Sequence, residues 1–120
     1  MSVQTSDYDL FAARAYFVYT KKTEDFTAAP GGVYGIDTTS GSVTCATPAS
    51  PNDGDWFIVL DIAKKWSTNQ AVIGSSSNNF VDTVNTTPTV GPYNLNAIPF
   101  IGQGLIRFVW VAATSTWSVN

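Results

Sequence analysis

At 120 residues, with a net charge of −3 and charged residues making up only 12% of the chain, the sequence suits one domain with a largely uncharged surface. Its six basic residues, Arg14, Lys21, Lys22, Lys64, Lys65 and Arg107, are too scattered to track phosphates, so nucleic acid is not an expected partner. There is no histidine and Cys45 is the single cysteine, which removes the commonest general base, the Ser-His and Cys-His dyads, any intrachain disulfide and any paired-thiol metal site.

In chain order, residues 1–14 have weak strand character and are expected to form an N-terminal arm, followed by a single β domain over 15–120. They carry neither a basic n-region nor an apolar h-region, and no apolar run reaches the length of a membrane span, so synthesis in the cytoplasm with neither export nor a membrane partner is expected. Strands are predicted at 15–21, 25–28, 32–37, 42–47, 55–61, 70–73, 79–84, 97–101, 105–112 and 116–119. Turn signals separate them, among them Pro30-Gly31-Gly32, Ser40-Gly41, Asp53-Gly54 and Gly102-Gln103-Gly104. Residues 62–67 suit one helical turn, and 85–96, rich in Thr, Pro and Asn, reads as an extended arm. Thr, Ser and Asn dominate the polar residues and Glu24 is the sole glutamate, which disfavours long exposed helices. The expected fold is all-β: a single antiparallel β-sandwich or small barrel with an extended N-terminal arm.

Candidate sites are few. The corner from Thr47 to Trp56 is bracketed by Pro48 and Pro51, which fix φ and remove donors, and it closes on Asp53-Gly54-Asp55, a turn with positive φ. A pair of carboxylates can hydrolyse a glycoside, and Asp53, Asp55, Asp61 and Asp82 are the available acids, but Asp53 and Asp55 have a sufficient role in bonding nearby backbone N–H groups. Asn52-Asp53-Gly54-Asp55 lacks the later acidic ligands of a calcium loop, so neither a metal nor a cofactor is expected. Cys45 alternates with Val43 on one strand face and reads as a buried small hydrophobe. Trp56, Trp66, Trp110, Trp117, Tyr34 and Tyr93 are candidates for a sugar-stacking platform. In 105–111, however, both alternating sets are apolar apart from Arg107, which predicts a strand covered on two faces. That pattern, repeated at Tyr16-Phe17-Val18-Tyr19, predicts an obligate oligomer, with Phe11, Tyr16, Phe108 and Trp110 as candidates for a subunit or capsid interface.

The succession from Gly32 to Thr44, the corner Pro48, Pro51, Asp53, Gly54 and Asp55, the strand ending at Asp61, then Thr68 to Ile73 and a final strand with Trp117-Ser118-Val119, resembles a β-module of bacteriophage virion proteins. That module occurs in capsid decoration (cement), head-fibre and tail-fibre proteins, and the resemblance spans about residues 30–119. It implies a homotrimer located in the virion and assembled in the host cytoplasm. A chain this short has no room for a fibre shaft or an enzymatic domain. The expectation is therefore a capsid decoration protein that contacts the major capsid protein and is not an enzyme, its arm at 1–14 or segment at 85–96 reaching a neighbour. The alternative is a small tail or fibre adaptor, or a receptor-binding module contacting host glycan through exposed aromatics such as Trp66 or Tyr93.

Overall fold

A computed structural model of the chain describes residues 18–84, 86–96 and 105–120. Eleven strands and no helix are found among them: β1 (Thr20–Lys22), β2 (Phe26–Thr27), β3 (Val33–Ile36), β4 (Val43–Ala46), β5 (Trp56–Leu60), β6 (Ala71–Ile73), β7 (Asn79–Val81), β8 (Thr89–Val90), β9 (Tyr93–Leu95), β10 (Leu105–Val111) and β11 (Thr116–Val119). The fold is all-β. The expected arm at 1–14, the candidates Phe11 and Tyr16, and the strand predicted at 97–101 lie outside the described residues.

The strands form a seven-stranded sheet, ordered β1-β3-β5-β10-β11-β7-β8, and a four-stranded sheet, ordered β2-β4-β6-β9. From β1 to β6 the chain changes sheet at every step, so β1, β3 and β5 run parallel in one sheet while β2, β4 and β6 run parallel in the other. Parallel neighbours need a crossover connection, and here each crossover is a strand of the opposite sheet. The result is three stacked two-strand windings. Antiparallel pairing enters where β10 lies against β5, where β10 and β11 form a hairpin, and in the pairs β6–β9 and β7–β8. Both sheets are thus mixed where antiparallel ones were expected, because Pro30-Gly31-Gly32, Ser40-Gly41 and Asp53-Gly54 turn the chain between sheets and do not close hairpins.

A second difference concerns 85–96. Thr89–Val90 pairs with β7 and Tyr93–Leu95 pairs with β6, so the described part of this segment supplies an edge strand to each sheet and is not a free arm. Proline and asparagine mask the pattern because edge strands tolerate proline and need no strict alternation.

One core lies between the sheets. Phe57, Val59, Ile106, Phe108, Phe80, Trp117 and Val119 of the larger sheet meet Val43, Cys45, Ala71, Ile73 and Leu95 of the smaller one. Phe57 and Phe108 stack at 4.8 Å with their planes 7° apart, and Trp117, Phe80 and Tyr93 meet this pair edge-on at 5.3–6.1 Å. Aromatic pairs in such geometries are worth about 0.5–1.5 kcal/mol beyond their buried area. Cys45 is fully buried, and burial pushes its thiol up to about 12, so it packs as a small apolar side chain.

The larger sheet has a second apolar face. Ile58 and Leu60 point away from the main core and pack with Tyr19, Val33, Ile62 and Leu105. Strands β5 and β10 are therefore apolar on both sides, as the alternation around Arg107 predicts, and Arg107 is exposed among them.

At the end of β3, Asp37 accepts hydrogen bonds from the Thr39 hydroxyl at 2.6 Å and the Thr39 N–H at 2.9 Å, with the Lys21 ammonium 3.7 Å away. The Thr39 hydroxyl, then its N–H, then Lys21 hold this carboxyl below the ordinary aspartate range. A group with a depressed folded pKa stabilises the fold above its unfolded value, about 3.9, and loses that contribution as pH falls through the folded value. NMR titration is expected to place the Asp37 midpoint below that of a model peptide, and Asp37→Asn is expected to lower stability at pH 7 but not below the folded midpoint.

Candidate functional site

The proline corner leaves β4 and enters β5, and its two carboxylates hold backbone N–H groups in place. Pro48 is buried and Pro51 half-buried; the Asp55 carboxylate accepts the Asn52 N–H at 2.9 Å, and the Asp55 N–H donates to the Asn52 carbonyl at 2.9 Å. Gly54 sits at φ +86°, where a side chain would find open space but a left-handed backbone that L-residues adopt at a cost. The corner also reaches across the sheet. The Gly54 N–H donates to the Trp110 carbonyl at 2.9 Å, the Trp110 N–H donates to the Asp55 carbonyl at 2.7 Å, and the Ala112 N–H donates to Asp53 Oδ1 at 2.9 Å. The bond from Asp53 is not local, since its partner lies in the β10–β11 turn. The Asp-Gly-Asp triplet thus clamps the end of β10, and with it the position of Trp110.

Beside the clamp lies a groove of about 450 Å3, bounded by the segment from Thr44 to Pro51 and by the loop from Gly74 to Asn78, and reached from the larger sheet by Trp110 and Trp117. The loop is held on both flanks: the Gly74 N–H donates to the Cys45 carbonyl at 2.8 Å, the Ser75 N–H to Asn78 Oδ1 at 2.9 Å, and the Gly91 N–H to the Asn78 carbonyl at 2.7 Å. Gly74 is required there, because at φ +73° a Cβ would stand 2.6 Å from Asn78 Oδ1. Trp117 is buried, whereas Trp110 is half-buried and leans on it at 5.2 Å with their planes 56° apart. Among the described residues, none that lines the groove carries an ionisable side chain.

The remaining candidates resolve differently. Phe108, expected at an interface, is fully buried in the domain's own core, so none of its surface is left to offer a partner. Trp66, expected as an exposed stacking ring, is 4% exposed and donates its indole Nε1–H to the Ile36 carbonyl at 3.1 Å. Tyr93 is half-buried and donates its hydroxyl to Asp82 Oδ2 at 2.6 Å. Burial, then the bond to Asp82 and its charge, raises that phenol well above its usual value and keeps it a donor. Tyr34 is buried and its hydroxyl accepts the Ala29 N–H at 2.7 Å. Of the aromatics weighed for sugar stacking, Trp56, Trp110 and Tyr93 retain accessible surface, Trp56 at 37% exposure at the end of the corner.

The four aspartates weighed for acid–base chemistry each hold structure. Asp53 and Asp55 fix the corner; Asp61 accepts the Lys65 and Trp66 N–H groups; Asp82 accepts the Val84 N–H and the Tyr93 hydroxyl. Among the described residues no group of three or more His, Cys, Asp or Glu comes together as a metal site. The sequence reading overlooked the groove because its walls come from three segments distant in the chain; the proline corner beside the apolar strand ending in Trp110 was the available signal.

No protein-family model matches the chain, and no curated protein matches it in sequence.

Proposed function

We propose that this chain is a structural subunit of a bacteriophage virion, a capsid decoration protein that trimerises and ties capsomers of the major capsid protein together. The observation that carries this reading is the second apolar face of the larger sheet. Ile58 and Leu60 are covered by the chain's own Tyr19, Val33, Ile62 and Leu105, but beyond them Trp56 is 37% exposed and its neighbour Val109, with Val111, is half-buried, so this end of the face keeps apolar surface for a partner. A freestanding two-sheet domain needs one apolar face per sheet, and a further one is what self-association uses. The proline corner is compatible with the same reading, since its two carboxylates serve geometry. Val109 and Trp56 take the place of Phe108 as interface candidates on the outer face, whereas Trp110 lies on the opposite side of β10, against Trp117. The expected partner of the outer face is a second and third copy of the chain, with multivalent attachment to the head making weak individual contacts persistent.

Sedimentation equilibrium at micromolar concentration is expected to return three times the mass of one chain. Val109→Glu, which sets a carboxylate in the outer face, is expected to give a folded monomer. A stable monomer of the unmodified chain would contradict the trimer.

A further inference from the structure

We infer that the groove beside the proline corner is a binding site for an uncharged saccharide, with Trp110 as its stacking ring. The inference rests on the groove and not on trimerisation or a place on the head. A sugar ring presents axial C–H bonds on its face and hydroxyls on its edge, so its receptor needs an accessible aromatic surface flanked by neutral donors and acceptors. The groove has both. Trp110 presents part of its ring there and is backed by the buried Trp117 at 5.2 Å. Ser50, Ser75, Ser77 and Asn78 line the same space, the Ser75 and Ser77 hydroxyls bonded to each other at 2.7 Å with lone pairs left for a ligand. Its volume, about 450 Å3, falls within the about 300–1,000 Å3 range of ligand sites. The described lining residues are all uncharged, which disfavours phosphate, sialic acid and metal ligands, since these call for charge compensation.

The site is also preorganised. Gly54 and Asp55 hold the Trp110 backbone through two hydrogen bonds, and the Gly74–Asn78 loop is tied to β4 and to Gly91. A ligand would therefore meet a rigid wall on each side and need not order either one. Ser50, at φ +49°, also lines the groove.

The test is an array of immobilised neutral glycans with sialylated counterparts beside them, probed with the full chain, followed by titration of a retained neutral oligosaccharide. Binding to neutral glycans is expected, with at least tenfold weakening by Trp110→Ala and substantial retention by Trp110→Phe. Ser77→Arg, an exposed substitution that fills the groove without removing a ring, is expected to abolish binding while leaving the thermal transition unchanged. Trp56→Ala, outside the groove, is expected to leave it intact. No binding to any neutral glycan, a preference for the sialylated forms, or binding that survives Ser77→Arg would overturn the assignment. Loss with Trp56→Ala alone would move the site to the outer face and overturn it equally.

Discussion

Phe108→Ala is expected to destabilise the domain by about 3–5 kcal/mol, the range for removing a fully buried phenylalanine from a packed core. Phe108 has no exposed surface, stacks on Phe57 at 4.8 Å, and receives the edges of Phe80 and Tyr93, so its loss opens a cavity that four strands would have to collapse to fill. With a domain of this size having about 5–15 kcal/mol in total, a substantial share of the stability is at stake. Urea denaturation is expected to show a lowered midpoint with little change in slope. The same experiment separates core from interface. A core residue lowers the stability of the folded unit at any protein concentration, whereas an interface residue would make the effect depend on concentration.

Asp61→Ala is expected to cost about 2–3 kcal/mol, the scale for losing charge-assisted hydrogen bonds to buried backbone donors. Asp61 is 8% exposed at the end of β5 and accepts the Lys65 N–H at 3.1 Å and the Trp66 N–H at 3.2 Å, closing the turns that follow. Those turns carry Trp66 to the Ile36 carbonyl and Asn69 Nδ2 to the Thr38 carbonyl at 2.9 Å, so one carboxylate organises a connection between the end of β5 and the end of β3. Asp61→Asn keeps one acceptor oxygen and is expected to lose about half as much. Thermal unfolding of both variants, read beside the indole N–H resonance of Trp66, checks whether the turn loosens before the sheets do.

Local structure was largely legible in the sequence and long-range arrangement was not. The predicted strands over 32–37, 42–47, 55–61 and 105–112 each contain an observed strand shortened by about one residue at one or both ends, because alternation and flanking turns are local signals. Thr116–Val119 is found with the predicted bounds. Sheet membership is a different matter. Whether a turn closes a hairpin or passes the chain to the opposite sheet depends on which apolar faces meet, and no signal within Ser40-Gly41 distinguishes the two. The successive windings were also hidden, since Lys21 pairs with Gly35 while Val33 pairs with Ile58, a spacing too irregular to register as a repeat. Strands β8 and β9 were missed because Pro88, Pro92 and the asparagines around them read as loop, although an edge strand accepts them.

The candidate site was half legible. The corner at Pro48, Pro51, Asp53, Gly54 and Asp55 stood out for its turn chemistry, and the structural role expected of it is what its hydrogen bonds perform. Its connection to Trp110 spans nearly half the chain and follows from the β5–β10 register, which composition does not encode. The reverse holds for Trp66. An aromatic residue in a polar turn reads as exposed until its indole N–H is seen to have a partner in Ile36.

The most direct test of the proposed role is quantitative mass spectrometry of virus particles purified from cells that produce this chain, with copy number normalised to the major capsid protein of those particles. Decoration of local threefold positions predicts a copy number comparable to that of the major capsid protein, and its loss when heads are stripped of their bound trimers. Absence from the particle, or a handful of copies that fractionate with tails, would contradict it.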